Sequence, residues 1–289
     1  MTGYAPAQVD LGLSMTQGTG ITTNFAEALI LFRKAAQAHY APGAYQIGMA
    51  YKNGRGVEPD PAEALKWFTD AAELGLPLGV GAVAAYYSDS AKDHRKAATF
   101  AERGARMSDA ISLVIWGDLQ REGEVVPINP AEAAQSYRHA AEQGNAVGAA
   151  RWGSCLLGGK GVPTDLAEGV KWLRFAAERG ERQAQNDLGL CWFARAARQG
   201  QAGAQNSYGY SLGNGIGVQT NLVEAYKWLS LALAQKDLQA KVNLPALEAR
   251  LSPEQIQEGK EQAASFRPRL EVSPQPKAIN LETILKAWY

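Results

Sequence analysis

The phrases YRHAAEQG (Tyr137–Gly144) and WLRFAAERG (Trp172–Gly180) end on glycines 36 residues apart, and the same interval separates Gly117 from Gly153. Self-similarity at a period of about 20–50 residues marks a repeat architecture, in which each unit buries its apolar face against its neighbours. That period serves as a ruler for the rest of the chain.

The 289 residues are enough for two ordinary domains or one array of repeats, and the repetition favours the array. Hydrophobic residues make up 46% and charged residues 20%, with abundant Ala and Gly, which suits closely packed helices. The formal net charge of +0 supplies no field that would draw nucleic acid or an anionic membrane. Cys155 and Cys191 occupy equivalent positions of successive repeats, 36 residues apart. Equivalent atoms of stacked helices lie about 8–10 Å apart, too far for the Cα separation of under about 7 Å that a disulfide needs. Two buried free thiols are expected.

The start, MTGYAPAQVDLG, lacks the basic and apolar regions of a secretory signal, and no run of 18 apolar residues could span a bilayer. As written, the chain reads as cytoplasmic. Gly3-Tyr4-Ala5-Pro6 nevertheless matches the repeat junction His39-Tyr40-Ala41-Pro42, so a signal-bearing precursor upstream would make it periplasmic or secreted.

Repeat one runs from about Ala5 to Tyr40, with Ala7, Leu11, Gly12 and Met15 on its first helix and Phe25, Ala28, Leu29, Phe32, Ala35 and Ala36 on its second. These are helical spacings. Repeat two states the pattern most clearly: AYQIGMAYKNGRGVEPDPAEALKWFTDAAELG. Gly48 permits close helix contact, Gly54 and Gly56 supply turn conformations with positive φ, and Asp60-Pro61-Ala62-Glu63 opens a helix that Gly75 stops.

The combination of A-x-x-L-G-x-x-Y-x-x-G-x-G-V, D-x-x-x-A-x-x-W and A-A-E-x-G resembles the Sel-one-like repeat (SLR) proteins, relatives of the tetratricopeptide repeats. The resemblance covers about residues 5–236. It implies an all-α fold, a right-handed α/α superhelix of antiparallel helix pairs, used in that family chiefly to hold other proteins.

Two repeats depart from the ruler. Repeat three (Leu76–Gly104) lacks the G-x-G-V turn, and Gly48 to Gly117 spans 69 residues, one period of 36 and one of 33; a helical pair with a trimmed turn is expected. In repeat six AQNDLGLC (Ala184–Cys191) runs straight into WFARAARQG (Trp192–Gly200), and Gly189 to Gly209 is only 20 residues. Sixteen residues are missing, including the turn. One continuous helix is expected over this region, with a bend or register change near residues 183–205. Beyond the solenoid (5–236), residues 237–266 read as capping helices: one over Leu238–Leu251 despite Pro245, then one opened by Ser252-Pro253-Glu254-Gln255. Residues 267–289 form a Pro-containing tail with two readings, a short docking helix carrying Ile279, Leu281, Ile284, Leu285 and Trp288, or a disordered segment.

Motifs for chemistry are weak. Gly209-Tyr210-Ser211-Leu212-Gly213 spells a hydrolase elbow, but inside a helical repeat and after all three histidines. Leu157-Gly158-Gly159-Lys160-Gly161 reads as a repeat turn rather than a phosphate loop, and His39, His94 and His139 lack metal-ligand spacing. Lys66-Trp67, Lys171-Trp172 and Lys227-Trp228 read as packing residues whose Lys covers the ring edge, rather than as a nucleic-acid stacking array. Some SLR relatives have been linked to penicillin binding, yet no S-x-x-K element occurs.

If Leu11, Ile47, Trp116, Trp152, Leu188 and Tyr208 face the core, then Tyr45, Met49, Lys52, Val114, Asp118, Arg121, Asn186, Asn206 and Tyr210 line the concave side. Both charge signs, aromatics and amides are present, a mixture that suits a peptide or extended protein segment. The expectation is a non-enzymatic scaffold for protein or peptide partners, without cofactor, metal, nucleic acid or membrane span. A β-lactamase-like hydrolase or penicillin-binding protein is the alternative reading, and self-association through repeat six or the tail a further one.

Overall fold

A computed structural model describes residues 4–216 and 218–268. Among them the chain forms helices and turns, with no strand. Antiparallel pairs follow in order: α1 (Ala5–Gln17) with α2 (Phe25–Gln37), α3 (Ala41–Asn53) with α4 (Pro61–Glu73), α5 (Pro77–Ala85) with α6 (His94–Arg106), α7 (Ala110–Glu122) with α8 (Pro130–Glu142), and α9 (Ala146–Gly158) with α10 (Leu166–Glu178). Then come the single helix α11 (Arg182–Arg198), the pair α12 (Ala202–Asn214) and α13 (Leu222–Ala234), and the C-terminal α14 (Ala240–Glu248) and α15 (Pro253–Ser265).

The chain divides into two compact units, residues up to Gln185 and residues from Asn186 on, so the boundary falls within α11. In the first unit each helix packs on the next, from α1 through α10. In the second, α12 packs on α13, and α13 also carries α14 and α15. The tail from residue 269, and with it Ile279, Leu281, Ile284, Leu285 and Trp288, lies outside the described residues.

Turns are built from one set of bonds. At the head of the second helix the N-cap residue accepts from a backbone N–H of the first turn in every pair: Asn24, Asp60, Asp93, Asn129, Asp165 and Asn221. The N–H of the same cap donates back to the first helix, nine residues earlier: Asn24 to Met15 O (3.0 Å), Asp60 to Tyr51 O (3.1 Å), Asn129 to Gln120 O (2.9 Å), Asp165 to Leu156 O (3.0 Å) and Asn221 to Leu212 O (3.0 Å). In repeat three the bond runs from Asp93 to Tyr87 O (2.9 Å), six residues back. Those three residues account for its shorter period. The shortened turn leaves α5 through a π-helical segment, Tyr86–Ser90, in which Ala91 N–H donates to Tyr86 O (3.0 Å).

Packing within pairs follows a second rule. A glycine of the first helix faces a large side chain of the second, twenty residues on: Gly12 with Phe32, Gly48 with Phe68, Gly117 with Tyr137, Gly153 with Leu173 and Gly209 with Leu229. A Cβ at Gly48 or Gly117 would stand 2.6 Å from the facing ring. Repeat three solves the same problem with two fully buried alanines, Ala84 and Ala101.

Several details differ from the sequence reading. Ala7 and Leu11 are exposed, and the buried residues of α1 are Val9, Gly12 and Met15. Leu11 stands where Ile47 stands one repeat later; α3 is enclosed by α2 and α4, whereas no helix precedes α1 among the described residues. Ile47 and Trp152 are buried, while Trp116, Leu188 and Tyr208 are half-buried. The helix expected over Leu238–Leu251 is shorter, Ala240–Glu248, with Pro245 inside it. Repeat six is one continuous helix, as its sequence requires, and α15 opens on the capping box at Ser252 and Gln255.

Gly117→Val is expected to destabilise the protein by about 1–3 kcal/mol, because the added methyls enter a filled interface. Gly203→Ala, in α12 with nothing within 4 Å of its Cβ site, is expected to hold or raise the midpoint. Urea denaturation of the two variants beside wild type checks both.

Candidate functional site

The first helices of the repeats present a partly exposed face, which takes in the expected Met49 and Asp118 but not Val114. Val114 is only 7% exposed and packs with Leu113 and Ala140, so it lines no surface. Its equivalents Gly81 and Ala150 are buried too. The accessible positions fall one residue later and four residues later: Gln46 and Met49 on α3, Ala82 and Ala85 on α5, Ile115 and Asp118 on α7, Arg151 and Ser154 on α9. Small or buried residues at the Val114 register are needed where neighbouring first helices touch, as α5 does α7 and α7 does α9.

Within this face the structure assembles one polar node. Asp118 Oδ1 accepts from the Tyr137 hydroxyl (2.8 Å) and from Arg151 Nε (3.0 Å), and it lies 3.2 Å from an Arg121 terminal nitrogen. Arg121 also donates to Glu122 Oε1 (2.8 Å). Three helices therefore converge on one carboxylate: α7 supplies Asp118 and Arg121, α8 supplies Tyr137 and α9 supplies Arg151. Burial, then the Asp118 carboxylate, pushes the Tyr137 phenol far above its usual range, which keeps its proton in place as a donor. Arg121 and Arg151 side chains retain 42% and 32% of their exposure. At that exposure their ion pairs contribute only about 0–1 kcal/mol each to stability.

Arg151 and Tyr137 were missed by the sequence reading. The signal for Tyr137 is its place opposite Gly117, where other repeats carry Phe or Leu without a hydroxyl; Arg151 stands out as the basic residue at a position held elsewhere by Asp10, Gln46, Ala82, Ile115, Asp187 and Ser207. Beside the node, Cys155 is a buried free thiol that burial pushes upward, against the opposing influence of Lys160, Arg121 and Arg151.

The remaining expected residues separate. Tyr45 and Met49 come together against Phe68 and Val83, with the Tyr45 ring 5.6 Å from that of Phe68. Burial and then Asp109 push the Tyr45 phenol upward. Lys52 is exposed at the end of α3. In the second unit, Asn206 accepts from Asn243 Nδ2 (2.9 Å), Tyr210 is 46% exposed, and Asn186 is exposed on α11.

The other motifs resolve as elements of packing. Ser211 of the G-x-S-x-G string lies in α12 and donates to the Ser207 carbonyl (2.9 Å). Gly159 and Gly161 take positive φ in the repeat turn. Lys227 lies over the Trp228 ring (4.4 Å), but Lys66 and Lys171 depart from that expectation, pairing with Glu63 and Glu168. Each of those carboxylates is one helical turn away and accepts the ammonium more favourably than a ring edge does. His94 Nδ1 is 3.0 Å from Glu124. Cys191 is free and half-buried; burial, then Asp187, pushes its thiol upward. Among the described residues no cluster of three His, Cys, Asp or Glu could hold a metal, and no helix is long and apolar enough to cross a membrane.

Comparison with known proteins bears on the fold. The model of the Sel1 repeat matches residues 5–40, 41–76, 111–145, 146–181, 184–201 and 202–237. The gap at 77–110 is the repeat with the trimmed turn, and the short match at 184–201 is the one that lost its turn. A Sel1 repeat protein from Oxalobacter formigenes is similar in structure: TM-score 0.55, 22% identity, 80% of this chain and 86% of that chain covered. A protective antigen of uropathogenic Escherichia coli with an SLR fold (c5321) matches at 23% identity over 91% and 76% of the two chains, with a TM-score of 0.32. The immunity protein Pa5087 of Pseudomonas aeruginosa matches at 16% identity over 82% of each, with a TM-score of 0.46. No curated protein matches.

Tyr137→Phe removes one bond to Asp118 and is expected to cost about 1 kcal/mol, read in urea denaturation. Since the thiolate is the nucleophile and a raised pKa depletes it, Cys155 is expected to alkylate more slowly at pH 8 than a free thiol in solution. Its rate should still be climbing above pH 9, and mass spectrometry of iodoacetamide-treated protein follows both.

Proposed function

Because the chain belongs to the Sel1 repeat family, we propose that it is a non-enzymatic adaptor that holds an extended protein or peptide segment on the first-helix face of its repeats. The fold is a Sel1-repeat helical scaffold, a type that typically serves protein interaction. The observation that carries the finer reading is the node at Asp118, where two half-exposed guanidinium groups are anchored by a carboxylate and a tyrosine on three different helices.

A guanidinium offers five N–H donors in a rigid fork. The bonds to Asp118 and Glu122 engage only part of that capacity, so Arg121 and Arg151 are held in place while still able to grip an incoming carboxylate or backbone carbonyl. Tyr45 and Met49, seated against Phe68, supply an apolar anchor on the same kind of face, with Lys52 at its edge. In the second unit, Tyr210 is exposed one helical turn from Asn206 on α12. Backbone-gripping polar groups interleaved with apolar anchors are what extended-segment recognition requires.

Peptides selected from a random library on the full chain are expected to be enriched in acidic residues. Arg151→Ala is expected to weaken their binding by about tenfold or more. Arg151→Lys should restore little of it, since an ammonium cannot reproduce the fork. Titration calorimetry gives the affinities. Peptides that bind Arg121→Ala and Arg151→Ala as tightly as wild type would defeat the assignment.

A further inference from the structure

Repeat six keeps both halves of the packing pair used elsewhere and prevents them from meeting. Gly189 lies 36 residues after Gly153 and 20 before Gly209, so it is the first-helix glycine of this repeat. Phe193 precedes Gly200 by seven residues, as Tyr137 precedes Gly144 and Leu173 precedes Gly180, so it is the side chain that should fill such a glycine's socket. Elsewhere the two are twenty residues apart on antiparallel helices. Here they are four apart on α11, which places them on one face of one helix.

Both are left without their partner group. Nothing lies within 4 Å of a Cβ at Gly189. Phe193 is 43% exposed and its neighbour Trp192 46%, whereas Phe68, Tyr137, Leu173 and Leu229 are buried. Asn186 and Ala196 lie at helical spacing on the same face, and neither is buried.

We propose that this face of α11 is a self-association surface, on which α11 of a second copy packs antiparallel so that Phe193 of each chain seats over Gly189 of the other. The occupant follows from reciprocity. An open socket and an unseated ring on one face are complemented by the same face turned end for end, the condition of an isologous interface, in which residue i meets j and j meets i. Pairing 189 with 193 sets the two-fold axis level with residue 191 and brings Asn186 opposite Ala196. Cys191 itself lies on the opposite side of the helix from Gly189, two residues or about 200° around. A single pair of helices buries less than the about 1,200 Å² of a stable standard interface, so the dimer is weak and its population rises with concentration.

The full-length chain is studied by sedimentation velocity from about 1 µM to about 1 mM. A monomer–dimer equilibrium is expected, weakened about tenfold or more by Phe193→Ala and by Gly189→Val. The second variant blocks the socket where nothing within 4 Å opposes the added methyls in the monomer, and circular dichroism verifies that both variants keep their helix content. As a geometric test, Asn186→Cys with Ala196→Cys is placed in a chain carrying Cys155→Ser and Cys191→Ser. Oxidation is expected to give a covalent dimer. An intrachain bridge is excluded, because ten residues of helix span about 15 Å and a disulfide needs Cα atoms within about 7 Å. A chain that stays monomeric throughout, a dimer that survives both single variants, or a double-cysteine chain that oxidises without dimer formation each overturns the proposal.

Discussion

The close approach of paired helices, glycine against a large side chain twenty residues later, is the constraint on which the rest of the structure depends. A glycine in mid-helix sacrifices stability relative to alanine, and here it is repaid by the ring or branched side chain that occupies the vacated volume. Because Gly153 also sits against the backbone of Gly169, no rotamer change can make room for a larger residue there. Fixed helix separation then fixes the length of the turn, and the cap that closes it bonds back to the first helix over nine residues in every pair but that of repeat three.

Repeat three shows how far that arrangement can be altered without loss. Three residues are removed from the turn, the returning bond shrinks from nine residues to six, and the glycine–aromatic pair becomes Ala84 against Ala101. Buried volume is shared between two small residues instead of being supplied by one large one. Repeat six shows the alteration that cannot be absorbed: with the turn gone, socket and ring share a helix and neither can be satisfied within the repeat.

The polar node draws on the same geometry. Tyr137 is in position to hold Asp118 because it fills the socket over Gly117, the residue directly before Asp118, and its buried hydroxyl reaches the carboxylate from the core side. Asp118 in turn orients Arg121 from its own helix and Arg151 from the next repeat. A packing residue with one added oxygen thus connects the core to the partly exposed face of the first helices.

The period of 36, the helix caps, the trimmed third repeat and the fused sixth were all legible in the sequence, because glycine, proline and Asx residues act locally and recur at fixed spacing. The register of the exposed face was legible only in part, at Met49 and Asp118. Val114 was read as surface and is core, while Arg151 went unnoticed, because a helix with apolar residues on several sides does not reveal which of them a neighbouring repeat will cover. That choice, like the exposure of Leu11 where Ile47 is enclosed, depends on which helices stand on either side, and is therefore decided by tertiary packing.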